Sequence, residues 1–217
     1  MKLVISVLVC VFLMTVSCKK YRLNQPSYLN FSWGFVNNSS NQSITITNGF
    51  FYLSKLNVNG VRSEGPEVEI EQSLPDAQIS YQSGGSLGLS IDVPVGNYTH
   101  FDVALDVKEG AVPNMVLNGT YKSDTDTLPF RIEWSTAQVL DFISTNGFEL
   151  KKKENYTLTL GIDVARLVSS VSSSQWSQAT VTLENEIPTI VIRDGFNEGI
   201  FNDVNDEIEN ALYLTIQ

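Results

Sequence analysis

Cysteine is nearly absent: of 217 residues only Cys10 and Cys18 carry a thiol. No disulfide can staple the chain beyond residue 18, so its stability must come from an apolar core, which a chain of this length can build. Histidine occurs once, as His100, and a single imidazole with no thiol beside it deprives a copper or zinc site of its usual ligands. Lys and Arg total 14 against 24 Asp and Glu, a formal charge of -10. Phosphate backbones are captured by clustered cations, so a nucleic-acid partner is disfavoured. The one basic run, Lys151-Lys152-Lys153, is diluted by Glu149 and Glu154 and reads as a solvated turn between strands. Long hydrophobic runs are missing as well. The only one, Leu3 to Val16, falls short of the roughly twenty residues that cross a bilayer as a helix.

That run has a function of its own. Basic Lys2 precedes it, small Ser17 and Cys18 follow it, and polarity then flips at Lys19-Lys20-Tyr21-Arg22, the order of an export signal. Met14-Thr15-Val16-Ser17-Cys18 resembles the lipobox of bacterial lipoproteins, with Thr15 where the pattern usually has Leu. The resemblance implies a signal peptide over residues 1–17, acylation at Cys18, and a permanent membrane anchor through it. Lys19 stands after Cys18 where inner-membrane retention usually places Asp, so the resemblance points to the outer membrane, with the leaflet left open. Residues 18–28 then read as the lipidated cysteine and a tether, and residues 29–217 as a single domain.

Within that domain the apolar pattern has period two. Leu29, Phe31, Trp33 and Phe35 alternate with small or polar residues, as a half-buried strand does. A long extended stretch from Ile44 to Val58 runs into Asn59-Gly60, a dipeptide suited to a type I′ turn, which predicts a hairpin returning through Val61, Val68 and Ile70. Leu74-Pro75-Asp76 and Ser83-Gly84-Gly85 read as breaks. Leu87, Leu89, Ile91 and Val93 share a face, Pro94-Val95-Gly96-Asn97 turns, and Phe101, Val103, Leu105 and Val107 return, leaving His100, Asp102, Ala104 and Asp106 on the wet side. Leu128 to Trp134, Tyr156 to Ile162 and Ala179 to Leu183 alternate in the same way. Two stretches have helical spacing: Val164, Leu167, Val168 and Val171 after Asp163, and Ile200, Phe201, Val204, Ile208, Ala211 and Leu212. Leu212, Leu214 and Ile216 suggest a closing strand, and Ser169 to Ser174 a loop. The expected fold is all-β, an antiparallel β-sandwich with one or two short helices near the C-terminus.

Four groups of residues suggest chemistry. Gly84-Gly85-Ser86-Leu87-Gly88 matches the Gly-x-Ser-x-Gly nucleophile elbow, with Asp92 and His100 downstream. The elbow needs a helix leaving Ser86, and this exit alternates as a strand, so no catalytic residue is assigned and a serine hydrolase is a distant alternative. Asp203, Asp206 and Glu207, with Glu209, offer oxygens to calcium, although helical spacing explains them as the wet side of an amphipathic helix. Trp176, between Ser174 and Ser177, is the one tryptophan outside an apolar alternation and so the candidate carbohydrate platform, whereas Trp33 and Trp134 are in phase with the core. Asp126-Thr127-Leu128 resembles the three-residue O-glycosylation signal of exported Bacteroidota proteins, which would put a glycan on Thr127.

The lipobox, the Phe51–Val58 strand before Asn59-Gly60, the turn Val93-Pro94-Val95-Gly96-Asn97-Tyr98 and the closing Asn197-to-Ala211 helix together resemble a group of uncharacterised Bacteroidota lipoproteins. The resemblance implies a transthyretin-like (prealbumin-like) β-sandwich and argues for fold rather than activity. The expectation is a non-enzymatic cell-envelope lipoprotein that needs no cofactor and binds an envelope protein or polysaccharide. The alternative is a fimbrial or adhesin-type subunit that assembles by strand addition.

Overall fold

The computed structural model describes residues 26–36, 43–82, 85–108, 113–144 and 146–217, with the side chains of residues 75–77 left out. The residues expected to form the signal, the lipidation site and most of the tether lie outside these. The elements are β1 (Pro26–Val36), β2 (Ile44–Arg62), β3 (Val68–Gln82), β4 (Ser86–Pro94), β5 (Gly96–Val107), β6 (Met115–Lys122), β7 (Thr127–Trp134), β8 (Gln138–Ile143), β9 (Phe148–Leu150) and β10 (Asn155–Asp163). The helices α1 (Val164–Leu167) and α2 (Ser173–Gln178) follow, then β11 (Val181–Glu184), β12 (Ile187–Ile192), α3 (Glu198–Ala211) and β13 (Leu212–Ile216).

The fold is mostly β, in two sheets, one of them curled into a half-barrel, with three short helices, mostly C-terminal. The smaller sheet has the order β13-β10-β1-β4; the larger runs β11-β12-β7-β6-β2-β5-β8, with β3 also on β2 and β9 also on β5. Pairing is not uniformly antiparallel, because β1 runs parallel to β10 and β7 parallel to β12. Trp33 of β1 joins the layers, with its ring centroid 4.7 Å from Tyr81, 5.2 Å from Phe51 and 5.8 Å from Phe142 of the larger sheet. Trp33 and Trp134 are fully buried, as their phase predicts.

Strand β2 organises the larger sheet. Nineteen residues long, it pairs with β3 on one side and, on the other, first with β6 and then with β5. Its register slips between Ile46 and Asn48 and again between Leu53 and Lys55. Each slip inserts one residue, which reverses the facing of everything after it. The buried positions accordingly pass from Ile44 and Ile46 to Gly49, Phe51 and Leu53, and then to Leu56, Val58 and Gly60.

Four expectations are corrected here. Asn59-Gly60 is no turn, since both residues pair with β3 and β5 in the middle of the sheet, and the chain reverses only after Arg62. Gly60 is needed for space: a Cβ there would lie 2.5 Å from Cε1 of Tyr98. Leu74-Pro75-Asp76 does not end a strand; it lies inside β3 opposite the second slip of β2. Strands β4 and β5 do not form a hairpin, because β4 pairs with β1 in the smaller sheet and β5 with β2 in the larger, so Val95 carries the chain from one layer to the other. The Tyr98 hydroxyl fixes that crossover by donating to the Pro94 carbonyl at 2.6 Å, and burial pushes its pKa up to about 12. The Ser169–Ser174 loop is interrupted by α2, whose Ser172 and Gln175 form a reciprocal capping box.

The two helical stripes are present. Val164, Leu167, Val168 and Val171 are all buried, but α1 stops after four residues, its first turn capped by Asp163, whose carboxylate accepts from the Arg166 amide at 3.2 Å. Ile200, Val204, Ile208 and Ala211 form the buried side of α3, and β13 then pairs with β10 as a closing strand.

Candidate functional site

Among the described residues, an array of polar side chains lies on the outer face of β3-β2-β5-β8. Register dictates its layout. Glu69, Asn59, Asp102 and Ile143 form one row across the four strands; Glu71, Asn57, Ala104 and Asp141 form the next; Ser73, Lys55, Asp106 and Val139 form the third. Opposed side chains on one face of a sheet lie within contact reach. The rows border a recess of about 520 Å³, with His100 at one end.

The interactions form a short polar network. Asn59 Nδ2 donates to Asp102 Oδ2 at 2.8 Å, while Asp102 Oδ1 lies 3.2 Å from His100 Nε2. Lys55 Nζ is 3.0 Å from Glu71 Oε2 and 4.0 Å from Asp106 Oδ2, and these carboxylates raise its pKa, led by the hydrogen bond to Glu71. Asn57 Nδ2 reaches Asp106 Oδ1 at 3.5 Å. The pKa of Asp141 is raised by partial desolvation and then by Asp102, Glu209 and Asp106. Five carboxylates thus face one lysine and one histidine. Such a face attracts cations and offers amide and carboxylate acceptors to donors, while Val139 and Ile143, each about half exposed, add an apolar margin.

Apart from His100, the residues singled out by sequence fall elsewhere. Ser86 opens β4 in the smaller sheet and accepts a hydrogen bond from the Gly88 amide at 3.1 Å, whereas His100 belongs to β5 in the larger sheet. The recess beside Ser86 is lined by Asn48, Phe50, Ser80, Tyr81 and Asn118 and contains no histidine or carboxylate. Gly84 lies outside the described residues. The segment leaving Ser86 is a strand, so no helix N-terminus supplies an oxyanion hole.

Trp176 is 3% exposed, with its ring stacked on Tyr121 at 5.2 Å and tilted against Phe130 at 5.3 Å. It is a core residue of α2 and leaves no ring face open for a sugar. Asp203 accepts from Gln175 Nε2 at 2.6 Å and thereby ties α3 to α2, and Glu207 accepts from Asn210. Asp203, Asp206 and Glu207 do not converge: no three His, Cys, Asp or Glu among the described residues are placed to hold a metal ion. Thr127 is exposed at the start of β7, next to a turn in which the Ser123 hydroxyl accepts from the Asp126 amide at 3.0 Å. Cys18 lies outside the described residues.

Sequence reading put His100, Asp102 and Asp106 on a wet face but missed Lys55, Asn57, Asn59, Glu69, Glu71 and Asp141 beside them. The usable signal was alternation: Lys55-x-Asn57-x-Asn59 and Glu69-x-Glu71 are polar at period two, and the presumed turn at Asn59-Gly60 concealed it. Comparison with protein-family models, curated proteins and solved structures finds no match to this chain. Among the described residues no helix is long and apolar enough to cross a membrane.

Proposed function

We propose that this chain is a non-enzymatic cell-envelope lipoprotein, anchored through Cys18 in the outer membrane, whose acidic sheet face binds a basic segment of a partner protein. The observation that carries the reading is the three-row array: five carboxylates around Lys55 and His100, flanked by exposed Val139 and Ile143. With Trp176 buried, this face suits a Lys- or Arg-bearing protein better than a polysaccharide. The transthyretin-like assignment belongs to the same proposal, supported by the Val93–Tyr98 segment that joins the layers.

The test is photo-crosslinking in intact cells. A photoreactive residue at Asn57 should trap a discrete partner, and one at exposed Thr157 on the smaller sheet should not. Asp102→Lys with Asp106→Lys should abolish the adduct. Identical adducts from both faces, or indifference to charge reversal, would refute the assignment. Palmitate labelling of wild type beside Cys18→Ser tests the anchor.

One observation favours a second reading, assembly by strand addition. Among the described residues β11 pairs only with β12, and Val181, Leu183 and Ile187 are 43%, 72% and 56% exposed. Thr182→Pro should then block assembly of the purified protein into oligomers.

A further inference from the structure

The basic run Lys151-Lys152-Lys153 forms the turn between β9 and β10, with all three side chains exposed. Its position in the fold is specific. The Lys153 amide donates to the Pro26 carbonyl at 3.2 Å, the Tyr28 amide donates to the Glu154 carbonyl at 3.0 Å, and the Ser27 hydroxyl donates to the Lys151 carbonyl. The turn is thus bonded to the residues at which the chain enters the domain. Lys153 adopts φ +60°, an uncommon conformation for a residue other than glycine, and this turns the chain between Lys152 and Glu154.

Pro26 is eight residues from Cys18, a separation of at most about 29 Å at full extension. Those residues include Lys19, Lys20 and Arg22. In a chain of formal charge -10, its only run of three cations therefore sits at the pole where the chain from Cys18 enters the domain.

We infer that the Lys151–Lys153 turn is a membrane-facing surface that contacts the phosphate headgroups of the bilayer holding the anchor, and so orients the acidic domain away from it. The inference rests on the reading of Cys18 as the lipid anchor for its orientation, though not for its chemistry. Glu64, Glu149 and Glu154 share this pole. Lys151 Nζ is 4.0 Å from Glu149, and Glu154 accepts from the Tyr156 hydroxyl at 2.9 Å. Lys152 and Lys153 have no acidic partner among the described residues, which leaves their charges for phosphate. Cations close to an anionic bilayer strengthen binding by roughly fivefold each, and the effect fades within a Debye length of about 8 Å. The acidic remainder of the domain is repelled by the same surface, so attraction at one pole and repulsion elsewhere favour one orientation.

The test uses the full secreted chain with Cys18→Ser, which keeps every cation and lacks acyl chains, in sedimentation with vesicles of equal parts phosphatidylglycerol and phosphatidylcholine. Expected is binding that falls steeply with salt and is absent on phosphatidylcholine alone. It should drop roughly tenfold to a hundredfold when Lys151→Gln, Lys152→Gln and Lys153→Asn are combined. Lys122→Gln, at the other end of the larger sheet, should leave it unchanged, and Glu149→Gln should strengthen it. Circular dichroism confirms that each variant is folded. Equal binding by the triple variant and its parent, or no preference for the anionic vesicles, would overturn the inference. Palmitate labelling reports on the anchor separately, so failure of the anchor and failure of this surface give different results.

Discussion

Gly60→Ala is the sharpest test of the way β2 is built. A Cβ at residue 60 would lie 2.5 and 2.7 Å from two ring carbons of Tyr98 and 3.2 Å from Phe101. Tyr98 cannot turn aside cheaply: its hydroxyl is held by the Pro94 carbonyl at 2.6 Å, its ring stacks on Phe148 at 5.6 Å, and Phe101 meets it edge-on at 5.3 Å. Overpacking of this kind costs about 1–3 kcal/mol, and a displaced hydroxyl would add about 1 kcal/mol. Replacing glycine returns about 0.5–1 kcal/mol through the unfolded chain. A net destabilisation of about 1–3 kcal/mol follows, read as a lowered urea midpoint at unchanged slope. The decisive measurement is the double-mutant cycle with Tyr98→Leu. Removing the ring should cancel most of the penalty, giving a coupling above about 1 kcal/mol. If Asn59-Gly60 were instead a tight turn, the cost would arise from backbone conformation and the two substitutions would add. Additivity would therefore refute this account of β2.

Other substitutions test other elements. Trp176→Ala should cost about 3–5 kcal/mol as a core deletion, seen in thermal unfolding, because Tyr121 and Phe130 lose their packing partner. Asn197→Gly keeps the left-handed backbone (φ +52°) but loses side-chain bonds to the Thr180 amide, the Thr180 carbonyl and the Val191 carbonyl. It should destabilise by about 1–3 kcal/mol and loosen β11, visible as faster amide exchange there. Asp141→Asn should stabilise the protein at neutral pH. The Asp141 carboxyl titrates higher in the folded chain than in the unfolded one, so its ionised form opposes folding once pH exceeds both values, and the advantage of Asn should vanish as pH falls below them. Urea midpoints at pH 7 and pH 3 check the sign.

Local pattern carried much of this fold because period two and period 3.6 are properties of adjacent residues. Leu87, Ile91 and Val93 are buried on β4, Phe101, Val103, Leu105 and Val107 face the core from β5, and α3 buries the stripe that its spacing predicts. Strands β6, β8 and β12 escaped that reading, β6 and β12 because runs such as Met115-Val116-Leu117 are buried on both faces and show no alternation. Trp176 misled for a related reason: its serine neighbours mark a polar surface, while the one residue of α2 that faces inward is the tryptophan itself.

Composition alone settled that the core carries the stability of residues 19–217, since no disulfide is available, and that the protein is strongly acidic with one basic run. The partner of each strand was decided in three dimensions. Whether β4 folds back on β5 or crosses to β1, and whether Asn59 ends a strand or lies opposite Asp102, depends on hydrogen bonds between residues distant in sequence. The acidic array and the lysine turn beside Pro26 arise at that level. Neither is a motif: one is assembled by register across four strands, the other by the start of β1 meeting the β9–β10 turn through backbone bonds.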